Sequence, residues 1–166
     1  MKQVINILLK KDKSIEKIRE KYVPDYKKFK PHINLVYPFE INSQKKLYEH
    51  INKSIKEIKP FKLALKGLKK SSKEFYLYLL ADEGNAEIIK LYGNLNSGLL
   101  KDFKNKSMPK YTPHLTIGVF KTKKEIDCAM KELKGNKIKY KIEIKSVQLV
   151  TLNKDNMICK IKNFVL

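Results

Sequence analysis

The sequence lacks the features that would place the protein in a membrane, in a disulfide scaffold or at a zinc site. No apolar run approaches the roughly 18 residues of a membrane-spanning helix. Only two cysteines are present, Cys128 and Cys159, and neither belongs to a CxxC pair. No small-residue cleavage site follows the first strand-like stretch, so we expect no signal peptide. These absences predict a protein of the reducing cytoplasm that does not bind a membrane.

Arginine is almost absent although the chain is strongly basic. Lysine and arginine together number 37 against 17 acidic residues, a net charge of +20, and Arg19 is the single arginine. A field of this sign attracts polyanions such as RNA, DNA and nucleotides. However, a module that reads nucleic acid through guanidinium groups would contain more arginine, and the lysines are spread along the whole chain. The charge therefore supports a solvated lysine surface and a phosphate-attracting surface equally well.

The pattern of apolar residues predicts a chain of alternating strands and helices. With 166 residues, 42% of them hydrophobic, the chain is long enough for one domain that needs neither metal nor disulfide to fold. Strands are predicted over 4–9, 32–37, 61–68, 75–81, 114–120, 138–152 and 157–165. Helices are predicted to begin at Ser14, Ser43, about Asn85, where the apolar stripe continues to Leu99, and Thr122, which opens a capping box.

The predicted order of elements repeats. Strand, helix, proline-ended loop, histidine-containing strand, helix and strand follow one another over 4–70 and again over 75–152, which indicates an internal duplication. We therefore predict an α+β fold in which two βαββ-like lobes carry antiparallel-rich sheets beside a central groove, with the helices outside. Residues 1–166 are expected to form one domain, with the strand at 157–165 completing a sheet as a hairpin partner of 138–152.

Two matched histidine segments carry the clearest functional signal. Residues 31–35 read PHINL and residues 113–117 read PHLTI, so each has proline, histidine, an aliphatic residue, a small polar residue and another aliphatic residue. Alternation along a strand puts every second side chain on the same face. The histidine face is then predicted to hold His32, Asn34 and Val36 in one strand and His114, Thr116 and Gly118 in the other. Tyr37 is placed with the aliphatic residues on the opposite face.

A pair of imidazoles across a groove suits acid–base chemistry on a phosphate. Histidine titrates near neutrality, so one ring can take a proton from an attacking oxygen while the other donates to the leaving oxygen. Asn34 and Thr116 are able to donate hydrogen bonds to the non-bridging phosphate oxygens, where charge accumulates in the transition state. The chain shows no cluster of acidic and histidine residues at metal-binding spacing, and we expect neither metal nor cofactor.

The segments PHINLVYPF and YTPHLTIGVF resemble the two H-x-T/S signatures of the 2H phosphoesterase superfamily, in particular its bacterial 2′-5′ RNA ligase-like and cyclic phosphodiesterase branch. The resemblance implies a bilobal α+β fold with a central cleft. It also implies hydrolysis of 2′,3′-cyclic phosphates to 2′-phosphates or reversible joining of RNA ends. By this resemblance His32 and His114 are the catalytic pair, and Asn34 and Thr116 bind the phosphate. Asn34 departs from the family pattern, which has Thr or Ser there.

Four further residues are candidates for contacts with substrate. Tyr78 is expected either to stack a base or, as the better alternative, to pack within its sheet. Phe120 shares the predicted parity of His114 and is expected at the rim of the groove. Lys110 and Tyr111 precede the second histidine in a proline-bracketed loop, where a contact with phosphate or base and a plain surface role are equally expected.

These observations predict a cytoplasmic, metal-independent phosphodiesterase that hydrolyses 2′,3′-cyclic phosphates of RNA ends or nucleotides. Two alternatives remain. The same residues would serve 2′-5′ RNA ligation, and Asn34 together with the net charge of +20 would suit an RNA- or nucleotide-binding module with weak or no turnover. In each case the partner is RNA or a nucleotide, and the protein is expected to act as a monomer without an obligate protein partner.

Overall fold

The computed structural model describes residues 1–71, 74–104, 110–135 and 138–166. The strands are β1 (Gln3–Leu8), β2 (His32–Phe39), β3 (Phe61–Lys70), β4 (Tyr76–Ala81), β5 (His114–Val119), β6 (Tyr140–Ile144), β7 (Ser146–Leu152) and β8 (Ile158–Val165). The helices are α1 (Lys13–Tyr22), α2 (Gln44–Ile55), α3 (Asn85–Leu95) and α4 (Lys123–Lys134), and a 3-10 helix at Gly98–Phe103 follows α3.

Within the described residues, the strands form two antiparallel four-stranded sheets with matching layouts. Sheet A has the order β2-β1-β7-β8, and sheet B has the order β5-β4-β3-β6. A histidine strand therefore forms one edge of each sheet. The halves of the chain exchange a strand, because β3 lies in sheet B while β7 lies in sheet A. The α+β class and the duplicated antiparallel arrangement are confirmed, and the single domain with lobes near 4–70 and 75–152 stays a prediction.

Three of the α-helices begin where a side-chain oxygen accepts from the first backbone N–H groups, whereas α3 begins after Gly84 without such a cap. Ser43 caps α2 as predicted, and Thr122 forms the predicted capping box with Glu125 at the start of α4. The predicted cap at Ser14 is wrong. Asp12 caps α1 instead, because its carboxylate accepts from the backbone N–H groups of Ser14 and Ile15. No helix in the described ranges is long and apolar enough to cross a membrane.

The long strand predicted over 138–152 is two strands that belong to different sheets. β6 pairs with β3 in sheet B, and β7 pairs with β1 and β8 in sheet A, so the chain crosses between the sheets at Lys145. The buried residues explain the division. Ile144 and Val147 both point into the main core although three positions separate them, which breaks the period of two that a single strand requires. The predicted hairpin is therefore formed by β7 and β8 alone.

The helices cover one face of each sheet and bury its aliphatic residues. α1 contacts β5, α3 contacts β2, and α4 contacts β3 and β4. Ile7, Leu35, Leu79 and Leu115 lie in the main core beneath these helices and are almost fully buried. β2 also contacts β5 directly, so the two histidine strands lie side by side where the sheets meet. This junction positions the site.

Candidate active site

Both histidine rings are held in the same way at the first residue of an edge strand. Nδ1 of His32 lies 2.7 Å from the carbonyl oxygen of Lys30, and Nδ1 of His114 lies 2.6 Å from the carbonyl oxygen of Thr112. A carbonyl oxygen only accepts, so each Nδ1 carries a proton and donates it. Nε2 of each ring is thereby left as the nitrogen that is able to exchange a proton with a substrate.

The two rings influence each other across the contact between β2 and β5. Burial lowers the pKa of both imidazoles below the ordinary value of 6.5, because desolvation disfavours the cation. The hydrogen bonds to the backbone carbonyls act in the opposite direction. Arg19 lowers the pKa of His32 further, and the charges of His32 and Lys69 lower that of His114. The unliganded pair therefore favours neutral rings, and an anion bound between them would favour protonation.

The small polar residue of each segment lies on the same side of its strand as the histidine. Asn34 pairs with Asn6 across β2 and β1, and Thr116 pairs with Tyr78 across β5 and β4. Asn34 and Thr116 are half-buried, whereas Ile33 before Asn34 is fully buried on the helix side. The structure thus brings both histidines, Asn34 and Thr116 to the strands that meet at the junction of the sheets. Their roles in catalysis and phosphate binding remain predictions.

A β-bulge follows the small polar residue of the first segment and inverts the alternation expected from the sequence. Asn6 pairs with Asn34 while Ile5 pairs with Val36, so β2 contains one extra residue at this point. A second extra residue lies between Val36 and Phe39, because Phe39 pairs with Gln3. Val36, predicted on the histidine face, is fully buried in the main core as a result. Tyr37, predicted on the aliphatic face, lines a cavity together with His32 and Asn34.

An equivalent bulge lies in β5 and corrects the prediction for Phe120. Tyr78 pairs with Thr116 while Leu77 pairs with Gly118, so Gly118 turns toward the core. The Phe120 ring lies over Gly118 and packs against Tyr22 of α1, with ring centroids 5.5 Å apart. Phe120 is therefore on the helix side of sheet B and not at the rim of the groove.

Tyr78 supports one of the two histidines. Its ring stacks on that of His114, with centroids 3.7 Å apart and planes inclined by 28°. Burial raises the pKa of Tyr78 to about 12, so the phenol stays neutral. This stacking holds the imidazole ring of His114 in place. Packing within the sheet, the better of the two predicted alternatives, describes this arrangement; base stacking by Tyr78 remains a prediction.

Tyr111 links the two histidine segments. Its hydroxyl donates a 2.7 Å hydrogen bond to the carbonyl oxygen of Asn34, and its ring stacks on Tyr92 at 3.8 Å with planes inclined by 3°. Burial raises the pKa of Tyr111 well above its usual value, so the hydroxyl remains a donor. This hydroxyl fixes β2 to the loop before His114, and the contact of Tyr111 with substrate stays a prediction. Lys110 is exposed on that loop, and its contact with phosphate stays a prediction.

Two asparagines near the site were not among the predicted residues. Asn6 is buried on β1 opposite Asn34. Asn96 follows α3 and donates from Nδ2 to the carbonyl oxygen of Leu35 at 2.8 Å, which satisfies a backbone group at the bulge. A signal for Asn6 is visible in the sequence, because it is the one polar residue in the apolar run 4–9. Asn96 gives no such signal.

The single arginine is also a structural part of the site. Arg19 is 3% exposed, and its Nη2 donates to the carbonyl oxygen of Phe29 at 2.6 Å, while Nη1 pairs with Glu16 at 2.5 Å. Phe29 lies three residues before His32, so the guanidinium anchors the segment that leads into β2. One arginine among 37 basic residues could have indicated a position where lysine does not suffice.

The groups gathered at the junction are suited to an anion. The amide of Asn34 and the hydroxyl of Thr116 are able to donate hydrogen bonds, and each imidazole Nε2 donates once its ring is protonated. None of these side chains carries a negative charge. Among the described residues, no three His, Cys, Asp or Glu side chains lie close enough together to hold a metal ion. The arrangement is able to bind a phosphoryl group and to move protons on either side of it.

Comparison with known proteins relates the chain to one family and one fold. Residues 9–156 match the family model described as the 2′-5′ RNA ligase superfamily. A curated phosphoesterase-like protein of Bacillus licheniformis is 27% identical over 101 residues; the match covers 60% of this chain and spans 58% of the relative's length.

Solved structures show the same fold at low sequence identity. The Thermus thermophilus protein TT0787 has a TM-score of 0.63 at 12% identity, with 98% of this chain and 97% of that chain covered. Usb1 of Kluyveromyces marxianus has a TM-score of 0.59 at 10% identity, covering 99% and 98%, and has also been solved with uridine monophosphate. LigT of E. coli in complex with 3′-AMP has a TM-score of 0.56 at 14% identity, covering 99% and 94%.

Proposed function

The chain belongs to the 2′-5′ RNA ligase superfamily of 2H phosphoesterases, and from this premise we propose that it hydrolyses 2′,3′-cyclic phosphates on RNA ends or nucleotides. One observation carries the proposal. The two edge-strand histidines share the same tautomer, imposed by a backbone carbonyl two residues upstream, at a junction where their strands meet. Such matched rings provide a proton acceptor and a proton donor for one phosphorus atom.

The proposed reaction uses the two Nε2 atoms in opposite directions. One neutral imidazole takes a proton from water as the water oxygen forms a bond to phosphorus. The bond from phosphorus to the ribose 3′ oxygen breaks, and the other, protonated imidazole gives its proton to that oxygen. The product carries a 2′-phosphate. Thr116 and Asn34 donate hydrogen bonds to the non-bridging oxygens, and these bonds strengthen as negative charge accumulates.

Turnover on defined substrates tests the proposal. The wild-type protein is expected to hydrolyse 2′,3′-cyclic mononucleotides or cyclic-phosphate-ended oligonucleotides with EDTA present. His32→Ala and His114→Ala are each expected to lower kcat by about 100-fold or more, since each removes one proton transfer. Strict dependence on added divalent metal, or a variant with both His32→Ala and His114→Ala that is as active as the wild type, would refute the two-histidine mechanism.

An assay with two RNA ends distinguishes hydrolysis from the alternatives. RNA with a 5′-hydroxyl end and RNA with a cyclic phosphate end would yield a joined product if the protein acts as a 2′-5′ ligase. The matched family model is named for this activity, and it supports ligation and hydrolysis alike. Binding without any turnover would instead indicate an RNA- or nucleotide-binding module, a role that the departure at Asn34 would suit. Relatives solved with 3′-AMP and uridine monophosphate support a nucleotide as the ligand in all three cases.

A further inference from the structure

The face of sheet A that carries His32 includes a cluster of apolar residues, although the helices and the main core lie on its other face. A sheet covered on one side is normally polar on the other. Here Val4, Val150 and Leu152 form a second hydrophobic cluster, with exposures of 8%, 2% and 8%. Leu8, Ile158 and Ile161 pack around this cluster. Because the rest of the surface is rich in lysine, an apolar face next to a proposed catalytic side chain indicates a binding site for an apolar group.

Most of these residues, namely Val4, Leu8, Val150, Leu152 and Ile158, line a cavity whose lining also includes His32 of the proposed catalytic pair. The cavity has a volume of about 190 Å³, and its lining includes His32 and Asn34. Phe29 and Tyr37 contribute aromatic rings to its wall. Drug-sized ligands occupy cavities of roughly 300 Å³ or more, so this one is sized for a single ring system. A group bound here would be attached to whatever phosphate lies against His32.

A buried amide adds polar recognition to the apolar cavity. Asn6 lines the cavity, is 5% exposed, and has a side-chain oxygen without a hydrogen-bond partner among the described residues. Buried polar atoms nearly always have such a partner. An amide offers both a donor and an acceptor, which is the pattern that the edge of a nucleobase presents.

The equivalent place on sheet B is filled by the protein itself. Tyr78 faces Thr116 as Asn6 faces Asn34, so the two residues occupy matching positions in the duplicated layout. The Tyr78 ring stacks on His114 and also lies 6.4 Å from the ring of Tyr76. Sheet B therefore supports its histidine with its own aromatic rings, whereas sheet A leaves room for a ring from a ligand.

We propose that the cavity lined by Val4, Asn6, Val150 and Leu152 binds the nucleobase of the nucleotide whose phosphate lies between the two histidines. This inference rests on the proposed function, because the phosphate places the base. The apolar lining contacts the faces and edges of the ring, and Asn6 bonds to its polar edge. The substrate is then a nucleotide or RNA end recognised through its terminal base, and not any cyclic phosphodiester.

A comparison of two substrates tests the cavity. Adenosine 2′,3′-cyclic phosphate carries a base, and the 2′,3′-cyclic phosphate of methyl riboside does not. The wild type is expected to prefer the nucleotide at least about tenfold in kcat/KM, which corresponds to about 1.4 kcal/mol. Val150→Phe, which fills the cavity, is expected to abolish most of this preference. The exposed Ile89→Phe on α3 adds the same ring elsewhere and is expected to retain it.

Equal rates on the two substrates in the wild type, or an unchanged preference in Val150→Phe, would refute the cavity proposal. Either result would leave the proposed hydrolysis of cyclic phosphates standing. Binding to the wild type provides an independent readout. Methyl resonances of Val4, Val150 and Leu152 are expected to shift with 3′-AMP and with adenosine, but not with inorganic phosphate. Absence of these shifts would refute the base site even in an active enzyme. Shifts without any turnover would support the base site and refute the proposed hydrolysis.

Discussion

Replacing Tyr111 with phenylalanine is expected to weaken the link between the two histidine strands. The change removes one hydroxyl and retains the ring that stacks on Tyr92. The hydroxyl donates to the carbonyl oxygen of Asn34, a residue of an edge strand whose outer side has no neighbouring strand among the described residues of its sheet. The variant therefore leaves one backbone acceptor of β2 without a protein donor, two residues from His32, and alters little else.

The size of the effect follows from the lost hydrogen bond. Leaving a buried acceptor without its partner costs about 1–3 kcal/mol, so the urea midpoint of unfolding is expected to fall by on the order of 1 M. The histidine strands are also free to separate slightly. A displacement of about 1 Å at a reacting group costs up to about 100-fold in rate, so we expect kcat on a cyclic nucleotide to fall about tenfold or more, with a smaller change in KM.

Tyr140→Phe is the matched control. The Tyr140 hydroxyl donates to the carbonyl oxygen of Lys10 at 2.8 Å, and neither residue belongs to a histidine strand. This variant is expected to lose comparable stability while kcat stays at the wild-type value. If Tyr111→Phe has the same urea midpoint and the same kcat as the wild type, the hydrogen bond from Tyr111 to Asn34 contributes nothing to stability or to catalysis. If both variants lose kcat equally, the effect reports general loosening and not the alignment of His32 with His114.

Three further outcomes are expected. The optimum of kcat/KM should lie below pH 6.5, because burial lowers the pKa of both His32 and His114. The rate declines once neither ring is protonated. A maximum above pH 7 would contradict this explanation. The kcat profile should lie at higher pH than that of kcat/KM, because bound phosphate stabilises the imidazolium, and coincident profiles would exclude such coupling. Gly118→Ala should lower the free energy of unfolding by about 1–3 kcal/mol in denaturation experiments, since the new Cβ would lie 2.6 Å from the Phe120 ring. An unchanged denaturation midpoint would show that the Phe120 ring moves aside at no cost.

The parts of the fold that depend on neighbouring residues were predictable from the sequence. The capping box at Thr122 and the cap at Ser43 are local hydrogen bonds, so the residue types alone identify them. The two PHxxx segments also specify the relation of each histidine to the polar residue two positions later, because that relation needs only an extended backbone. Because the two histidine segments are duplicated, they can be compared position by position, and this comparison identifies the candidate site residues.

The inverted alternation after Asn34 and Thr116 was not predictable in the same way. A bulge is a property of the pairing between two strands, and its location depends on a partner that is distant in sequence. One extra residue transfers the side chains that follow it to the other face, and in β2 a second extra residue restores the alternation before Phe39. Phe120 consequently joins the core, and Tyr37 leaves it. The break between β6 and β7 differs, because the spacing of Ile144 and Val147 was already visible in the sequence.

The duplicated fold supplies two similar histidines, and the differences around them determine how the site works. His114 is stacked on Tyr78, whereas His32 has Asn6 and an apolar cavity at the matching place. A symmetric pair would bind a nucleotide equally well in two opposite orientations, and only one orientation would present a given ribose oxygen to a given ring. Filling one side with a protein ring and leaving the other open to a base selects a single orientation. On this reasoning Asn6→Tyr, which copies the sheet B residue into sheet A, should weaken binding of 3′-AMP more than binding of inorganic phosphate.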